Sequence, residues 1–411
     1  MLSTPKGMRL AIGVFGRRNV GKSSLVNALV GQDVSIVSPY AGTTTDPVEK
    51  SMELAPLGPV TLIDTAGIDD DGDLGRQRIA RTEAALGRTD LGLVVVDGAG
   101  IGPDEEKLFA DLNDKETPVV VVFNKADVDA PRPADIARLQ EAGLPYVAVS
   151  AATGSGIPKL REAILAAAPE TGFEAPYLLG DLIHPGALVV LVVPIDLGAP
   201  KGRLILPQVM AIRDILDADA SSLVVKEREL GETLASLGRR PDLVVCDSQV
   251  VLKAAADTPD DVPLTTFSIL MARHKGDLVA FARGAAAIDH LKPGARVLVA
   301  EACSHHSMAD DIGRVKIPRW LRQYAGGDIE FEQAAGRDFP EDLSPYSLIV
   351  QCGGCMVNRK QVLLRQRRAA EQGVPMTNYG VTISRVQGVL PRALQVFPAA
   401  LEAFEAARRG G

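Results

Sequence analysis

From Met8 to about Ala168, short runs of Val, Ile and Leu alternate with stretches whose apolar positions recur at helical spacing. The runs RLAIGVFG, VTLIDTAG, LGLVVVDG, PVVVVFNKAD and PYVAVSA each stop at a polar or glycine-rich turn. Continuous apolar runs of this kind mark strands covered on both faces, and helices between them mark crossovers, so the pattern predicts a parallel, doubly wound sheet. PETGFEAPYLLGDLIHPG, residues 169–186, interrupts the rhythm with Pro and Gly. A second α/β segment follows, in which strand-like ALVVLVVPI, SSLVVKE and PDLVVCD interleave with helix-like PQVMAIRDILDAD and ERELGETLASLG. DTPDDVPLTTFS, residues 257–268, is the next interruption. Beyond it ARVLVAEAC, SLIVQC and VPMTNY read as strands, with helix-like NRKQVLLRQRRAAEQG between the last two. The expected fold class is α/β in three domains, at 8–170, 180–262 and 268–411. Periodicity leaves ALVVLVVPI open as a central strand or as a sheet edge that pairs across a dimer. DDIGRVKIPRWLRQYAG, which carries the only tryptophan, is expected to pack one apolar face on a core.

Composition narrows the functional classes. Of 411 residues, 46% are hydrophobic and 23% charged, so the chain is globular throughout. Basic residues number 44 against 52 acidic ones, a formal charge of -8, which weighs against a general electrostatic hold on nucleic acid or an anionic membrane. Small molecules and proteins are the expected partners. ALVVLVVPI, the longest apolar run, falls well short of the about 20 residues a membrane helix needs. MLSTPKGMRLAIGVFG enters a strand without the basic segment, apolar core and cleavage site of a signal peptide, and the expected location is the cytoplasm. The 4 cysteines of such a chain are not a disulfide framework; where they cluster, metal or redox chemistry is expected.

Gly16-Arg17-Arg18-Asn19-Val20-Gly21-Lys22-Ser23 fits GxxxxGK[ST] between the strand LAIGVF and the helix SLVNALV. Its backbone N–H groups would close on phosphates, Lys22 would reach the β/γ oxygens, and the Ser23 hydroxyl would bind Mg²⁺, with Ser24 beside it among the nucleotide-binding candidates. Asp64-Thr65-Ala66-Gly67 places a carboxylate for a water-mediated Mg²⁺ contact and a flexible glycine at the γ-phosphate. In Asn124-Lys125-Ala126-Asp127 the last carboxylate can accept two hydrogen bonds from the guanine edge, which adenine does not offer. Ser150 and Ala151, at the end of the next strand, are placed to support that contact. In the loop AGTTTDP, Thr44 or its neighbours Thr43 and Thr45 supply a second hydroxyl to Mg²⁺, and the loop is a switch candidate.

Five such elements in this order resemble the TrmE/Era-type small GTPases. Within that resemblance Gly67 is followed by Ile68 where many regulatory GTPases carry a water-orienting Gln, which implies slow intrinsic hydrolysis. Asn19 matches the P-loop asparagine that helps several such relatives bind K⁺ as a charge-neutralising substitute.

Cys303-Ser304-His305 ends one expected strand and Cys352-Gly353-Gly354-Cys355 ends another. Ligand sites of open parallel sheets gather at strand C-termini, so the two groups are expected to share a crevice. The residues alone leave four readings: an iron–sulfur cluster with an exchangeable ligand, a Cys₃His zinc site including His305, a redox dithiol of Cys352 and Cys355, or unrelated core cysteines. Cys246 stands alone and is expected to be an ordinary buried residue.

FSILMARHKGDL, CSHHSMADDIGRVKIPRWLRQYAGG, DFPEDL, QCGGCMVNRKQVL and PMTNYG resemble the HydF family of [FeFe]-hydrogenase maturation GTPases. With the GTPase motifs the resemblance covers essentially the whole chain. It implies a P-loop GTPase, a dimerisation domain and a Rossmann-like domain that binds a [4Fe–4S] cluster through Cys303, Cys352 and Cys355. It further implies a homodimer that receives a diiron precursor, works with radical-SAM maturases and serves the catalytic subunit of [FeFe]-hydrogenase. The family pattern CxH…HCxxC is altered here, because Gln351 stands where the second histidine is usual. An amide is a poor iron ligand, which leaves His305, His306, a carboxylate such as Glu301, or solvent for the remaining position. The main alternative is a tRNA-modification-type GTPase with a C-terminal zinc or iron–sulfur domain.

Overall fold

In the computed structural model of the chain, residues 9–31, 48–55, 58–65, 82–169, 177–194, 204–301, 311–335, 339–354 and 357–410 are described. The chain divides into two compact units, Met1–Ala175 and Pro176–Gly411.

The first unit is built on β1 (Leu10–Phe15), β2 (Val48–Leu54), β3 (Gly58–Asp64), β4 (Leu91–Val96), β5 (Val119–Phe123) and β6 (Tyr146–Ala148), in the order β2-β3-β1-β4-β5-β6. All neighbours are parallel except β2 and β3. Successive side chains of β1 feed opposite cores: Ile12 and Val14 pack with Leu25 and Val122, whereas Ala11 and Phe15 pack with Val94 and Val121. That two-faced burial is why these strands are apolar without alternation. The polar edge strand β2, VEKSMEL, escaped the sequence reading because it has no such run. Helix α1 (Lys22–Val30) leaves the C-terminal end of β1, and α2 (Pro103–Asp114) follows β4.

The second unit holds two parallel sheets. One comprises β7 (Leu188–Val192), β8 (Ser221–Val225), β9 (Leu243–Cys246) and β10 (Leu264–Thr266), ordered β10-β9-β7-β8. Within the run that starts at Ala187, β7 is therefore an interior strand, and the edges are β10 and β8, where Val224 is 43% exposed. The other sheet comprises β11 (Arg296–Glu301), β12 (Glu330–Ala335), β13 (Leu348–Gln351) and β14 (Met376–Asn378), ordered β12-β11-β13-β14.

One apolar core runs through both sheets, from Val190 and Leu264 to Leu298 and Ile349. The Pro-rich stretch at 257–268 does not interrupt it. Strand β10 lies inside that stretch, and its last residue, Thr266, caps α3 (Phe267–Lys275) by accepting the Ile269 N–H at 3.1 Å. Helix α4 (Ile317–Ala325), preceded by a π-helical turn at Ile312–Lys316, buries Ile317 and Leu321 and packs Trp320 on the core, as the amphipathic pattern predicts. Two further helices flank the second sheet: α5 (Arg359–Glu371) and α6 (Tyr379–Val386). Among the described residues no helix is long and apolar enough to cross a membrane.

Candidate functional site

The glycine-rich loop between β1 and α1 turns through left-handed conformations at Asn19 (φ 63°) and Gly21 (φ 93°). Lys22 is buried, and its Nζ donates to the carbonyls of Gly16 (2.9 Å) and Arg17 (2.7 Å), so the ammonium is held across the loop it is expected to serve. At the first turn of α1 the Ser23 hydroxyl donates to Asp64 Oδ2 at 2.6 Å, and Asp64 Oδ1 is buried with no partner. A hydroxyl and a half-satisfied carboxylate at the end of β3 fit Mg²⁺, which takes one or two protein oxygens and completes its shell with water and phosphate. Thr65 ties this end of β3 to β1 through Oγ1 to the Val14 carbonyl at 2.7 Å.

Asn124, at the end of β5, joins the two halves of the site. Its Nδ2 donates to the Val20 carbonyl at 2.9 Å, and its Oδ1 accepts the Ala151 N–H at 3.0 Å. Lys125 adopts φ 60° and pairs with Asp97 at 3.1 Å, while Asp127 is exposed on the same loop. Ser150 is buried, its N–H donating to the Ser155 carbonyl and its Oγ accepting the Thr153 N–H, which shapes the loop presenting Ala151. Ser24 is exposed on α1. Thr43, Thr44, Thr45, Gly67 and Ile68 lie outside the described residues.

One contact escaped the sequence reading: Arg17 Nε donates to Glu105 Oε1 at 2.7 Å and its Nη2 to the Gly100 carbonyl at 2.6 Å. Glu105 is fully buried and also accepts the Gly102 N–H. The pair fastens the phosphate loop to the start of α2, and no local signal links residues so far apart.

In the second unit the registers Ala300↔Gln351 and Gln351↔Asn378 bring the C-terminal ends of β11, β13 and β14 together. Cys352 follows directly, its N–H donating to the Ala300 carbonyl at 2.9 Å. Gln351 is buried; its Oε1 accepts from Arg365 Nη1 at 2.9 Å, and its Nε2 stands 3.5 Å from Cys352 Sγ. Arg365 is itself buried on α5, with its guanidinium 4.9 Å from the Phe339 ring. Burial pulls the Arg365 pKa down, and charge on the Cys352 thiol opposes that pull. Lys275 is also buried, and a Cβ placed on Gly354 (φ 67°) would stand 3.9 Å from its Cβ, so the stem of this lysine packs beneath the glycine turn.

Glu301 ends β11 with 2% exposure, accepting from Arg314 Nη2 at 3.2 Å and from the Tyr379 hydroxyl at 3.4 Å. Burial first, then the charges of Cys352, Glu301 and Asp311, hold the Tyr379 phenol far above its ordinary pKa, so it stays protonated. The chain approaches this pair closely at Gly313, where a Cβ would lie 2.0 Å from the Tyr379 hydroxyl. Glu301, a candidate for the open ligand position, is thus engaged by Arg314 and Tyr379.

Cys303, His305, His306 and Cys355 lie outside the described residues, among which no group of three His, Cys, Asp or Glu side chains is placed to hold a metal. The surroundings of Cys352 do fit a thiolate ligand: the Gln351 amide N–H faces its sulfur, the buried Arg365 guanidinium stands behind that amide, and both favour negative charge there. Cys246 is fully buried, donates weakly to the Thr265 carbonyl at 3.7 Å, and has its thiol pKa pushed up by burial.

Three family models match the chain: a 50S ribosome-binding GTPase over residues 11–125, the hydrogen maturase F dimerization domain over 178–276, and the hydrogen maturase F tetramerization domain over 279–396. The chain is 39% identical over 176 residues to the tRNA modification GTPase MnmE of Burkholderia thailandensis, covering 41% of this chain and 37% of that protein. The same protein of Nitrosomonas europaea is 42% identical over 159 residues, covering 38% and 34%. The chain thus spans about a third of the length of these curated relatives. Among solved structures, the G domain of the T. maritima FeoB iron transporter aligns with 24% identity and a TM-score of 0.32, over 39% of this chain and 99% of that one. The likeness to MnmE stays within the GTPase domain, whereas the two maturase models match most of the remainder, so this chain, a GTPase with domains for dimerisation and tetramerisation, belongs to the hydrogen maturase F family.

Proposed function

We propose that the chain is a GTP-hydrolysing scaffold that holds a [4Fe–4S] cluster through Cys303, Cys352 and Cys355, accepts a diiron precursor beside it, and delivers that unit to the apo form of the [FeFe]-hydrogenase catalytic subunit. The observation that carries this reading is the coexistence, in one chain, of a GTPase domain with both hydrogen maturase F domains. A bound cluster supplies an iron with a position free for exchange. The chain's own part is to present thiolates at the β13 end, offset their charge with the Gln351 amide N–H and Arg365 behind it, and exclude water with the core beneath. His305 is the candidate for the open position. Radical-SAM maturases would supply the precursor in the cytoplasm, and the working divisions would be 8–170, 180–262 and 268–411. Anaerobically produced protein is expected to be brown, with the iron and sulfide of one [4Fe–4S] cluster per chain, and to activate apo-hydrogenase. Stoichiometric zinc without iron would overturn the cluster and favour the Cys₃His site.

In the nucleotide domain, Gly16, Gly21, Lys22, Ser23 and Ser24 would hold the phosphates, with Ser23 and Thr44 on Mg²⁺ and Asp64 contacting it through water. Asn124, Lys125, Asp127, Ser150 and Ala151 would select guanine, Gly67 would meet the γ-phosphate, and Asn19 would bind K⁺. GTP is expected to be hydrolysed in clear preference to ATP, and faster in KCl than in NaCl of equal ionic strength, because K⁺ neutralises charge developing between the phosphates. Asp127→Asn is expected to weaken GTP and admit the xanthine nucleotide, since the base-edge pairing changes. Equal turnover of ATP and GTP by the native protein would refute the guanine assignment.

A further inference from the structure

We infer that Gln351 and Arg365 form a relay that directs an N–H···S hydrogen bond onto Cys352 and thereby raises the reduction potential of a cluster bound there. The inference rests on the proposed cluster ligation by Cys352.

An amide side chain offers one oxygen and one NH₂, and either end can in principle turn toward a neighbour. Arg365 removes that freedom. A guanidinium is a donor only, so at 2.9 Å from Nη1 the group facing it must be the oxygen, Oε1. The NH₂ is left facing Cys352, 3.4 Å from its carbonyl oxygen and 3.5 Å from Sγ, a normal separation for a bond to sulfur, and its two hydrogens can serve both acceptors. Both members of the relay are fixed: Gln351 is 1% exposed at the end of β13, and Arg365 is 7% exposed over the Phe339 ring. The start of α5, which carries Arg365, is capped by Asn358 through the Gln361 N–H at 3.1 Å.

Reduction adds an electron to the cluster and its thiolates, and a donor aimed at one sulfur stabilises the more negative state. Within this arrangement Gln351 is a positioning residue, acting on the cluster through Cys352 rather than as an iron ligand.

The experiment is an anaerobic redox titration of the full chain, followed by electron paramagnetic resonance, with iron and sulfide counted in parallel. Gln351→Glu keeps an acceptor for Arg365 while removing the N–H, and Gln351→Met removes both. Both variants are expected to retain the cluster and to shift its reduction equilibrium about tenfold toward the oxidised form, 59 mV for a one-electron couple. Arg365→Lys, which keeps the charge but loosens the amide, is expected to give a smaller shift in the same direction. Native potentials in cluster-loaded Gln351→Glu and Gln351→Met would overturn the inference while leaving the cluster assignment standing. Loss of the cluster from both, with GTP hydrolysis intact, would also overturn it, because Gln351 would then be required for ligation itself. Native protein lacking iron would instead refute the proposed function.

Discussion

Replacing Cys303, Cys352 or Cys355 singly with alanine is expected to strip the cluster, lowering bound iron and sulfide by at least the 10–100-fold in affinity that loss of a group merely orienting a ligand costs. Two thiolates are too few to hold the cube, and at position 352 the change would also take away the sulfur that the Gln351 amide N–H faces, while Arg365 keeps its bond to Gln351 Oε1. A buried amide N–H that loses its acceptor is unfavourable, so Cys352→Ala should lose some thermal stability as well as iron. Cys246→Ala is the control: that thiol is fully buried and bonds only weakly to Thr265, so its removal should affect stability alone. GTP hydrolysis should persist in all four variants, because the nucleotide motifs lie in the other compact unit. Native iron content in Cys303→Ala would break the three-cysteine assignment.

Much of the fold was legible because buried parallel strands leave an unmistakable mark: VVVVF and LVVLV have no solvated face, so they need no polar alternation. The strands that hid did so for the converse reason. Glu330, Glu332 and Gln333 of β12 give an edge strand the look of a loop, and β10 sits within a Pro-rich stretch whose composition says boundary. Its continuation into α3 depends on Thr266 accepting one N–H, which is a property of geometry rather than of composition.

The phosphate loop was legible because its motif fixes both residue type and spacing, and its left-handed positions Asn19 and Gly21 are residues that tolerate them, whereas the left-handed Lys125 of the base-recognition loop carries no such mark. The cluster side was legible only as far as the cysteines. Arginine is expected at the surface, so nothing in the sequence marks Arg365 as buried, and nothing pairs it with Gln351 before β13 and α5 are folded together. The same limit hid the Arg17–Glu105 pair, whose partners meet only when α2 packs beside the phosphate loop.

Gly21→Ala is the variant expected to disable the nucleotide site most completely. The residue sits at φ 93°, where a Cβ costs roughly 1–2 kcal/mol, and that Cβ would stand 2.3 Å from Asn124 Nδ2. Something must move, and Asn124 is the side chain in the way. Displacing it breaks the bonds to the Val20 carbonyl and the Ala151 N–H, leaving buried polar groups unpaired at a further cost of about 1–3 kcal/mol. A combined loss on the order of 3 kcal/mol corresponds to about two decades in GTP affinity. Asn124→Ala, which relieves the collision but forfeits the same two bonds, should recover only part of that loss when combined with Gly21→Ala. Direct titration of a fluorescent guanine nucleotide gives the affinity, and a thermal melt of the unliganded protein shows whether strain is relieved by loosening the loop instead. Iron content should stay native in both variants. If Gly21→Ala bound GTP within twofold of native and melted at the native temperature, the close approach of Gly21 to Asn124 would not be what holds the phosphate loop and the base-recognition loop in register.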